Sequence, residues 1–305
     1  MGLFPNYLKL SDKELVQRAE ALWGILENCQ ICPRQCRVNR LKEEKGFCQL
    51  ADRPKVSSFH PHFGEESVLV GRGGSGTIFF TSCNLACLYC QNYDISQLRQ
   101  GEEISFERLA EMMIKLQQLG CHNINFVTPT PQVPQIVKGL VIARKEGLKI
   151  PLVYNTNAYD TVTILKLLEG IIDIYMPDAK YSDDKLAVKY SQASDYFAIM
   201  KKAIKEMHQQ VGDLKVNQEG IATRGLLIRH LVLPHNLAGS EKIFNFLAKE
   251  ISPDTFLNIM DQYRPCYQAF DYPELARMIS QEEYQEAVKL AKEAGLTRYG
   301  KNKEI

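Results

Sequence analysis

The sequence predicts an α/β protein: a mostly parallel sheet bent into a partial, open (β/α)6 barrel, with a cysteine-rich extension at the N-terminal end. Three observations predict it. Short apolar runs that read as buried strands alternate with longer stretches of helical periodicity, the pattern of parallel strands with helices outside. There are about six such strand–helix pairs, against the eight of a complete barrel of ~250 residues. The first run, Thr77-Ile-Phe-Phe80, empties into a loop carrying Cys83, Cys87 and Cys90. No linker divides the series, so the expected organisation is a helix and metal-binding extension over 1–76 and a barrel over 77–305.

The chain has 305 residues, 45% hydrophobic and 24% charged, the balance of an ordinary globular protein. Its net charge of +1 gives no global field that would draw nucleic acid or a membrane surface. No apolar run approaches the ~20 residues of a membrane helix. Met1 to Glu20 has no apolar core of a secretion signal. Nine cysteines in such a chain point to metal binding rather than disulfides, and to a reducing cytoplasm.

Ser11 to Asn28 reads as an amphipathic helix. Ser11 and Glu14 form a capping box, and Leu15, Ala19, Leu22 and Leu26 share one face. A second cysteine group follows: Cys29, Cys32, Cys36 and Cys48, in the pattern C-x2-C-P-R-x-C and then eleven residues to Cys48. Pro33 and Gly46 favour turns that bring the thiols together. Four thiolates suit structural Zn²⁺ or a [4Fe–4S] cluster, and the spacing does not choose between them. Residues 51–76 read as a polar lead-in loop, with His60, His62, Glu65 and Glu66 as hydrogen-bonding groups or a metal site. Within it Gly71-Arg-Gly-Gly-Ser-Gly76 matches the letters of a dinucleotide fingerprint. The context is wrong: Val68–Val70 reads as a short strand, but another strand follows the glycines where a helix is required. A nicotinamide oxidoreductase is therefore rejected.

From Thr77 the chain alternates. Ser105–Leu119, Val133–Gly147, Thr161–Glu169, a long region over Ser182–Gln210, Ser240–Ile251 and Gln281–Ala294 read as helices. Asn123–Val127, Leu152–Tyr154, Ile171–Met176, Gly225–Leu233 and Thr255–Met260 read as the remaining strands. Barrel chemistry sits at the C-terminal strand ends. The residues delivered there are Cys83, Cys87 and Cys90, then Thr128 and Thr130, then Asn155, Thr156 and Asn157, then Asp178 and Lys180. Arg229 and His230 share the fifth strand, where only one can face the cavity; His230 is the candidate for adenine contact or proton transfer. Gln262 and Tyr263 are expected at the mouth, and Cys121 and Cys266 as ordinary residues.

A C-x3-C-x2-C loop can wrap one metal centre. A [4Fe–4S] cluster ordinarily takes four cysteines; three leave one iron open to a ligand that is not protein. With Tyr89 before the last cysteine, this loop resembles the signature of the radical SAM enzymes. That resemblance implies a [4Fe–4S] cluster whose open iron chelates S-adenosylmethionine. It also implies reductive cleavage to methionine and a 5′-deoxyadenosyl radical, and the six-unit open barrel. Many members carry a Gly-Gly-Glu element where this chain has Val127-Thr-Pro-Thr130. Asn155-Thr156-Asn157 and Asp178-Ala-Lys180 resemble the cofactor- and cation-binding loops of glycyl radical enzyme activases, with Asn155 in the place of an aspartate.

Over most of its length the chain is similar to the pyruvate formate-lyase activating enzyme-related proteins called PflX. The carrying residues are Cys29-x2-Cys32-Pro-Arg-x-Cys36-x-Val-Asn-Arg40, Gly74-Ser-Gly-Thr-Ile-Phe-Phe80, Asn123-Ile-Asn125 with Thr128-Pro-Thr130, Asp173-Ile-Tyr-Met-Pro-Asp178 and Arg229-His-Leu-Val-Leu-Pro234. The expectation is an oxidoreductase that abstracts hydrogen from an unidentified substrate. Thr128, Thr130, Asn155, Asn157, Asp178, Lys180 and His230 are its candidate S-adenosylmethionine contacts. The second group holds zinc or a second iron–sulfur cluster, and a flavodoxin or ferredoxin is the electron donor. The alternatives are an activase acting on a protein partner and a non-catalytic zinc scaffold.

Overall fold

The computed structural model describes residues 5–299, so the outermost residues of both expected segments, 1–4 and 300–305, lie outside the described residues. The strands are β1 (Lys55–His62), β2 (Ser75–Phe80), β3 (Glu102–Glu103), β4 (Ile124–Val127), β5 (Leu152–Thr156), β6 (Ile174–Pro177), β7 (Lys215–Val216), β8 (Ala222–Leu231) and β9 (Phe256–Met260). Six of them, β2-β4-β5-β6-β8-β9, lie side by side in that order and run parallel. These are the six runs read from the sequence. Among the described residues β9 pairs with β8 and not with β2, so the sheet curves without closing. β4, β5 and β6 are buried throughout, which explains their unbroken apolar runs.

The helices are α1 (Asp12–Gly24), α2 (Ser67–Val70), α3 (Tyr93–Ser96), α4 (Phe106–Gln118), α5 (Val133–Lys145), α6 (Val162–Leu167), α7 (Asp184–Ser191), α8 (Tyr196–Val211), α9 (Ser240–Phe246) and α10 (Gln281–Glu293). Their starts follow local chemistry. Ser11 and Glu14 make the expected capping box on α1, a contribution of about 1 kcal/mol. Ser105 caps α4, which buries Leu109, Met112, Met113 and Leu116 against the sheet. α1 packs on α5, and one core cluster runs from Tyr7 through the barrel to Leu296, so the N-terminal extension shares the barrel's core.

Three local expectations fail. The lead-in of 51–76 contains β1, an antiparallel strand on β2 with a register shift between Val56 and Ser58. Val68–Val70 is helical, part of α2, so the glycine run joins a helix to a strand, the reverse of a dinucleotide site. Gly73 is there for space: a Cβ would stand 1.9 Å from the Gly120 carbonyl oxygen. The long helix of Ser182–Gln210 is two helices, α7 and α8, broken where Gln192 (φ 52°) and Asp195 (φ 52°) turn left-handed.

α2 plugs the concave face of the sheet. Its Leu69 joins Val153, Ile174, Met176, Leu227 and Phe256 in a second, smaller buried cluster. Strand residues alternate in direction, so Arg229 and Asn258 lie on the same inner face, one step nearer the strand ends.

Candidate active site

A cavity of about 220 Å³ opens at the C-terminal ends of the parallel strands. Cys83, Cys87 and Cys90 line it with Thr128, Asn155, Thr156, Asn157, Asp178, Lys180, Arg229 and Gln262. β2, β4, β5, β6 and β8 each contribute from their own ends. Each cysteine sulfur has a hydrogen bond. Asn157 Nδ2 (3.3 Å) and the Leu85 N–H (3.3 Å) donate to Cys83 Sγ, Ser191 Oγ donates to Cys87 Sγ (3.0 Å), and Ser96 Oγ lies 3.1 Å from Cys90 Sγ. Burial pushes the Cys83 thiol up to about 12 and that of Cys90 to about 11; it raises Cys87 too, with Lys180 pulling the other way.

The strand ends bend sharply at this rim. Ser82 (φ 70°), Thr128 (φ 59°) and Ala158 (φ 62°) are left-handed without being glycine. Thr128 is β-branched, for which that region is strained. Its N–H is fixed to the Asn155 carbonyl at 3.0 Å, which holds the turn against the cavity.

Charge is concentrated on one side. Lys180 Nζ pairs with Asp178 Oδ2 at 2.9 Å, and Arg229 Nε with Asp178 Oδ1 at 2.8 Å. Arg229 Nη2 also donates to Asn155 Oδ1 at 2.7 Å. Below, Glu65 lies 3.4 Å from Arg229 Nη1, and Glu66 accepts from Asn258 Nδ2 at 2.9 Å. Burial works against the Asp178 charge, but Arg229 and Lys180 outweigh it and hold the carboxyl below its ordinary range. Burial likewise opposes the Lys180 charge, and Asp178 and Cys87 outweigh it, so Lys180 stays protonated. Glu65 goes the other way. Burial raises it to about 7 against the pull of Arg229, and Glu66 and Asp178 add to the rise.

Behind the cysteines stands a wall of buried phenols. Tyr89 packs edge-on against Tyr181 (ring centroids 6.4 Å) and Tyr263 (5.8 Å), and Tyr181 against Tyr196 (5.7 Å). The Tyr196 hydroxyl meets the Asn157 and Asp178 carbonyls, Tyr263 donates to the Leu275 carbonyl, and Tyr181 meets Ser191 Oγ.

Some expected site residues do not reach the cavity. His230 lies on the outer face of β8 and is fully buried. Its Nδ1 is 2.7 Å from the Ala179 carbonyl oxygen and its Nε2 2.9 Å from Ser240 Oγ, which ties β8 to α9. Burial lowers its pKa to about 4, so it is neutral, and it is not among the residues that line the cavity. Arg229, its neighbour, is the one that enters. Thr130 belongs to a closed network under the rim, donating to Asp160 Oδ1 (2.8 Å) beside Thr156 and Tyr154. Tyr263 faces inward with the phenols, and only Gln262 reaches the mouth. His60 and His62 on β1 pack with Phe79 on β2 while Glu65 and Glu66 turn toward Arg229 and Asn258, so the four do not form one metal site.

Cys29, Cys32, Cys36 and Cys48 come together around a separate small cavity, lined also by Arg34, Arg40, Gly46, Phe47 and Asn84. All nine cysteines are free of disulfides. Among the described residues no three Cys, His, Asp or Glu side chains are grouped closely enough to hold a single metal ion. Cluster ligands bind different irons and stand farther apart than the ligands of one ion.

A model of the radical SAM superfamily matches residues 77–218. Uncharacterized protein MJ0674 of Methanocaldococcus jannaschii is 36% identical over 301 residues, a match over 96% of this chain and 80% of that protein. The chain belongs to the radical SAM superfamily. Among solved structures, the backbone is similar to that of Streptococcus suis SuiB bound to its precursor peptide SuiA. That pair is 14% identical with a TM-score of 0.49, over 73% of this chain and 47% of SuiB. HydG, a maturase of the [FeFe]-hydrogenase, is 13% identical with a TM-score of 0.48, over 96% of this chain and 64% of HydG. The chain thus spans less than two thirds of either. The narrower activating-enzyme-related name appears in none of these matches.

The radical SAM superfamily implies a [4Fe–4S] cluster and S-adenosylmethionine, and the residues present fit them. Three thiols, each hydrogen-bonded, share a cavity with a fixed ammonium and a fixed carboxylate. No helix of the described residues is long and apolar enough to cross a membrane.

Proposed function

We propose that this radical SAM protein reductively cleaves S-adenosylmethionine and abstracts hydrogen from a substrate bound at the same strand ends. The observation that carries the reading is the meeting of Cys83, Cys87 and Cys90 with Asp178 and Lys180 in one cavity. When bound, the cluster and S-adenosylmethionine supply the electron and the 5′-deoxyadenosyl radical.

This chain's side chains supply the setting. The three cysteines would hold three irons and leave one open. Asn157, Ser191 and Ser96 hydrogen-bond to the sulfurs, and such bonds set a cluster's potential. Lys180, held protonated at Nζ, offers a charge-assisted hydrogen bond to the methionine carboxylate, and Asp178 stays ionised to accept one. The left-handed turn at Thr128, which lines the cavity, would present backbone to the cofactor where many members have a Gly-Gly-Glu element.

The activase reading carries an expected cation between the third and fourth strand-end loops. Here Arg229 bridges Asn155 and Asp178, so a positive charge is already built in. This favours the general hydrogen-abstracting reading, without a monovalent cation, over the activase. The electron comes from a carrier of the flavodoxin or ferredoxin class, in a reducing cytoplasm that keeps the thiols free.

The test is anaerobic incubation with S-adenosylmethionine and dithionite, in a buffer whose only monovalent cation besides that of the reductant is tetramethylammonium. Products are read by mass spectrometry. 5′-Deoxyadenosine and methionine should form, and Cys87→Ala should abolish both. Full turnover by Cys87→Ala would sink the assignment.

A further inference from the structure

We propose that Cys29, Cys32, Cys36 and Cys48 hold a second [4Fe–4S] cluster, whose cavity wall is Asn84, the residue next to Cys83. Four observations carry this.

The first is charge. Arg40 is 1% exposed, and its guanidinium donates only to carbonyls: twice to Ala51 O (3.0 and 2.7 Å) and once to Pro131 O (2.8 Å). Among the described residues no carboxylate pairs with it. Arg34 lines the same cavity, stacked over Phe47 at 3.8 Å, with its Nη2 buried and unpartnered. Buried cations without an anion are costly. A tetrathiolate metal centre is anionic and balances both.

The second is backbone strain. Gln35 (φ 42°), Arg37 (φ 58°) and Gln49 (φ 57°) flank Cys36 and Cys48 in the left-handed region, each costing about 1–2 kcal/mol. Their N–H groups bond to the Cys32, Cys29 and Gly46 carbonyls, so the strained turns fold the chain back around the thiols. The Phe47 N–H already donates to Cys36 Sγ at 3.4 Å.

The third is space. A Cβ on Gly46 would stand 2.6 Å from Cys36 Cβ and 2.8 Å from its Sγ. Only glycine leaves the sulfur room.

The fourth is position: the two sites touch. Asn84 lines the second cavity, its carbonyl accepts from Arg34 Nε (2.9 Å), and its Oδ1 accepts from Asn157 Nδ2, which also donates to Cys83 Sγ.

The experiment uses the full chain, purified without oxygen. Iron, sulfide and zinc are counted, and electron paramagnetic resonance is recorded after dithionite. The wild type should hold about eight irons per chain, and a Cys83→Ala/Cys87→Ala/Cys90→Ala variant about four, with a cluster signal of its own. The wild-type signal should be broadened by coupling between neighbouring clusters. A Cys32→Ala/Cys36→Ala variant, which leaves only two thiols there, should lose about four irons and keep the remaining signal. Arg40→Gln, which removes a cation and no ligand, should lose the second cluster preferentially, with an unchanged far-ultraviolet circular dichroism spectrum. One zinc per chain retained by the triple variant, or an iron count unmoved by Cys32→Ala/Cys36→Ala, overturns the proposal. So does loss of all iron from a Cys32→Ala/Cys36→Ala protein whose circular dichroism is native, since the groups then share one centre. None of these readouts depends on S-adenosylmethionine cleavage, so failure here leaves the proposed reaction standing.

Discussion

Replacing Glu65 by glutamine should stabilise the protein at alkaline pH and change little in mild acid. The reason is a charge imbalance on the inner face of the sheet. Arg229 and Lys180 face three carboxylates, Glu65, Glu66 and Asp178. Two cations balance two anions, and Glu65 is the one left over. Burial, opposed by Arg229 and reinforced by Glu66 and Asp178, raises its pKa from an ordinary 4.5 to about 7. Below pH 4.5 the side chain is neutral folded or unfolded, and the fold carries no penalty. Between 4.5 and about 7 the unfolded chain releases the proton while the folded chain keeps it, so stability falls as pH rises. The slope is about 1.4 kcal/mol per pH unit, for a total near 3 kcal/mol above pH 7. Glutamine mimics the protonated side chain and removes that loss. Asp173, which burial also raises to about 7, gives both proteins the same background slope. Urea unfolding near pH 4.5 and above about pH 8 measures the difference. Equal stability gaps at the two pH values, or a variant weaker than wild type in alkali, would refute the charge count.

Thr128→Gly removes a β-branched side chain from φ 59°. Relief of strain offsets the added freedom of the unfolded chain, so stability should hold or rise by up to about 1 kcal/mol, while cofactor cleavage slows. A loss of more than about 1 kcal/mol in urea unfolding would mean the turn is not strained. Ser191→Ala deletes the O–H that donates to Cys87 Sγ. Fewer donors on a sulfur make a cluster harder to reduce. Potentiometric titration should therefore show a lower potential at unchanged iron content, and a higher potential would refute that role.

All six parallel strands are legible because β4, β5, β6 and β9 are buried throughout and β2 and β8 over most of their length, so each contains an apolar run. β1 is not. It lies one strand in from the sheet's edge, covered on its outer side only by the two-residue β3; it is partly exposed, and Ser57, Ser58, His60 and Pro61 interrupt any alternation. The three strand-end cysteines and the Asp178–Lys180 pair are local in sequence, and spacing reveals them. Arg229 and His230 show where such reading stops. Strand parity says that one faces inward, but which one depends on pairing with Asp178, some fifty positions away. Leu226, Leu227 and Ile228 before them are all apolar, so the strand's own sequence does not mark its inner face. Glu65 carries no local mark at all, because its partner lies 164 residues on. Ser96 and Ser191 were passed over for the same reason: a serine becomes a thiolate donor only when the fold delivers a sulfur to it.

The phenol wall behind the cysteines bears on how such a site survives its own reaction. A tyrosine loses an electron easily only when a base can take its proton at the same time. Tyr196 and Tyr263 are bonded to peptide carbonyls, and Tyr181 to a serine hydroxyl. Burial holds the phenols of Tyr89, Tyr181, Tyr196 and Tyr263 protonated. Among the described residues none of these four hydroxyls is hydrogen-bonded to a carboxylate. These four thus supply aromatic bulk around the site with no easy route of their own for a hole to leak outward; Tyr190, beside them, is the phenol that donates to a carboxylate, that of Glu274. Placing a carboxylate against Tyr196 would open that route, and the damage would appear as oxidised tyrosine rather than as lost fold.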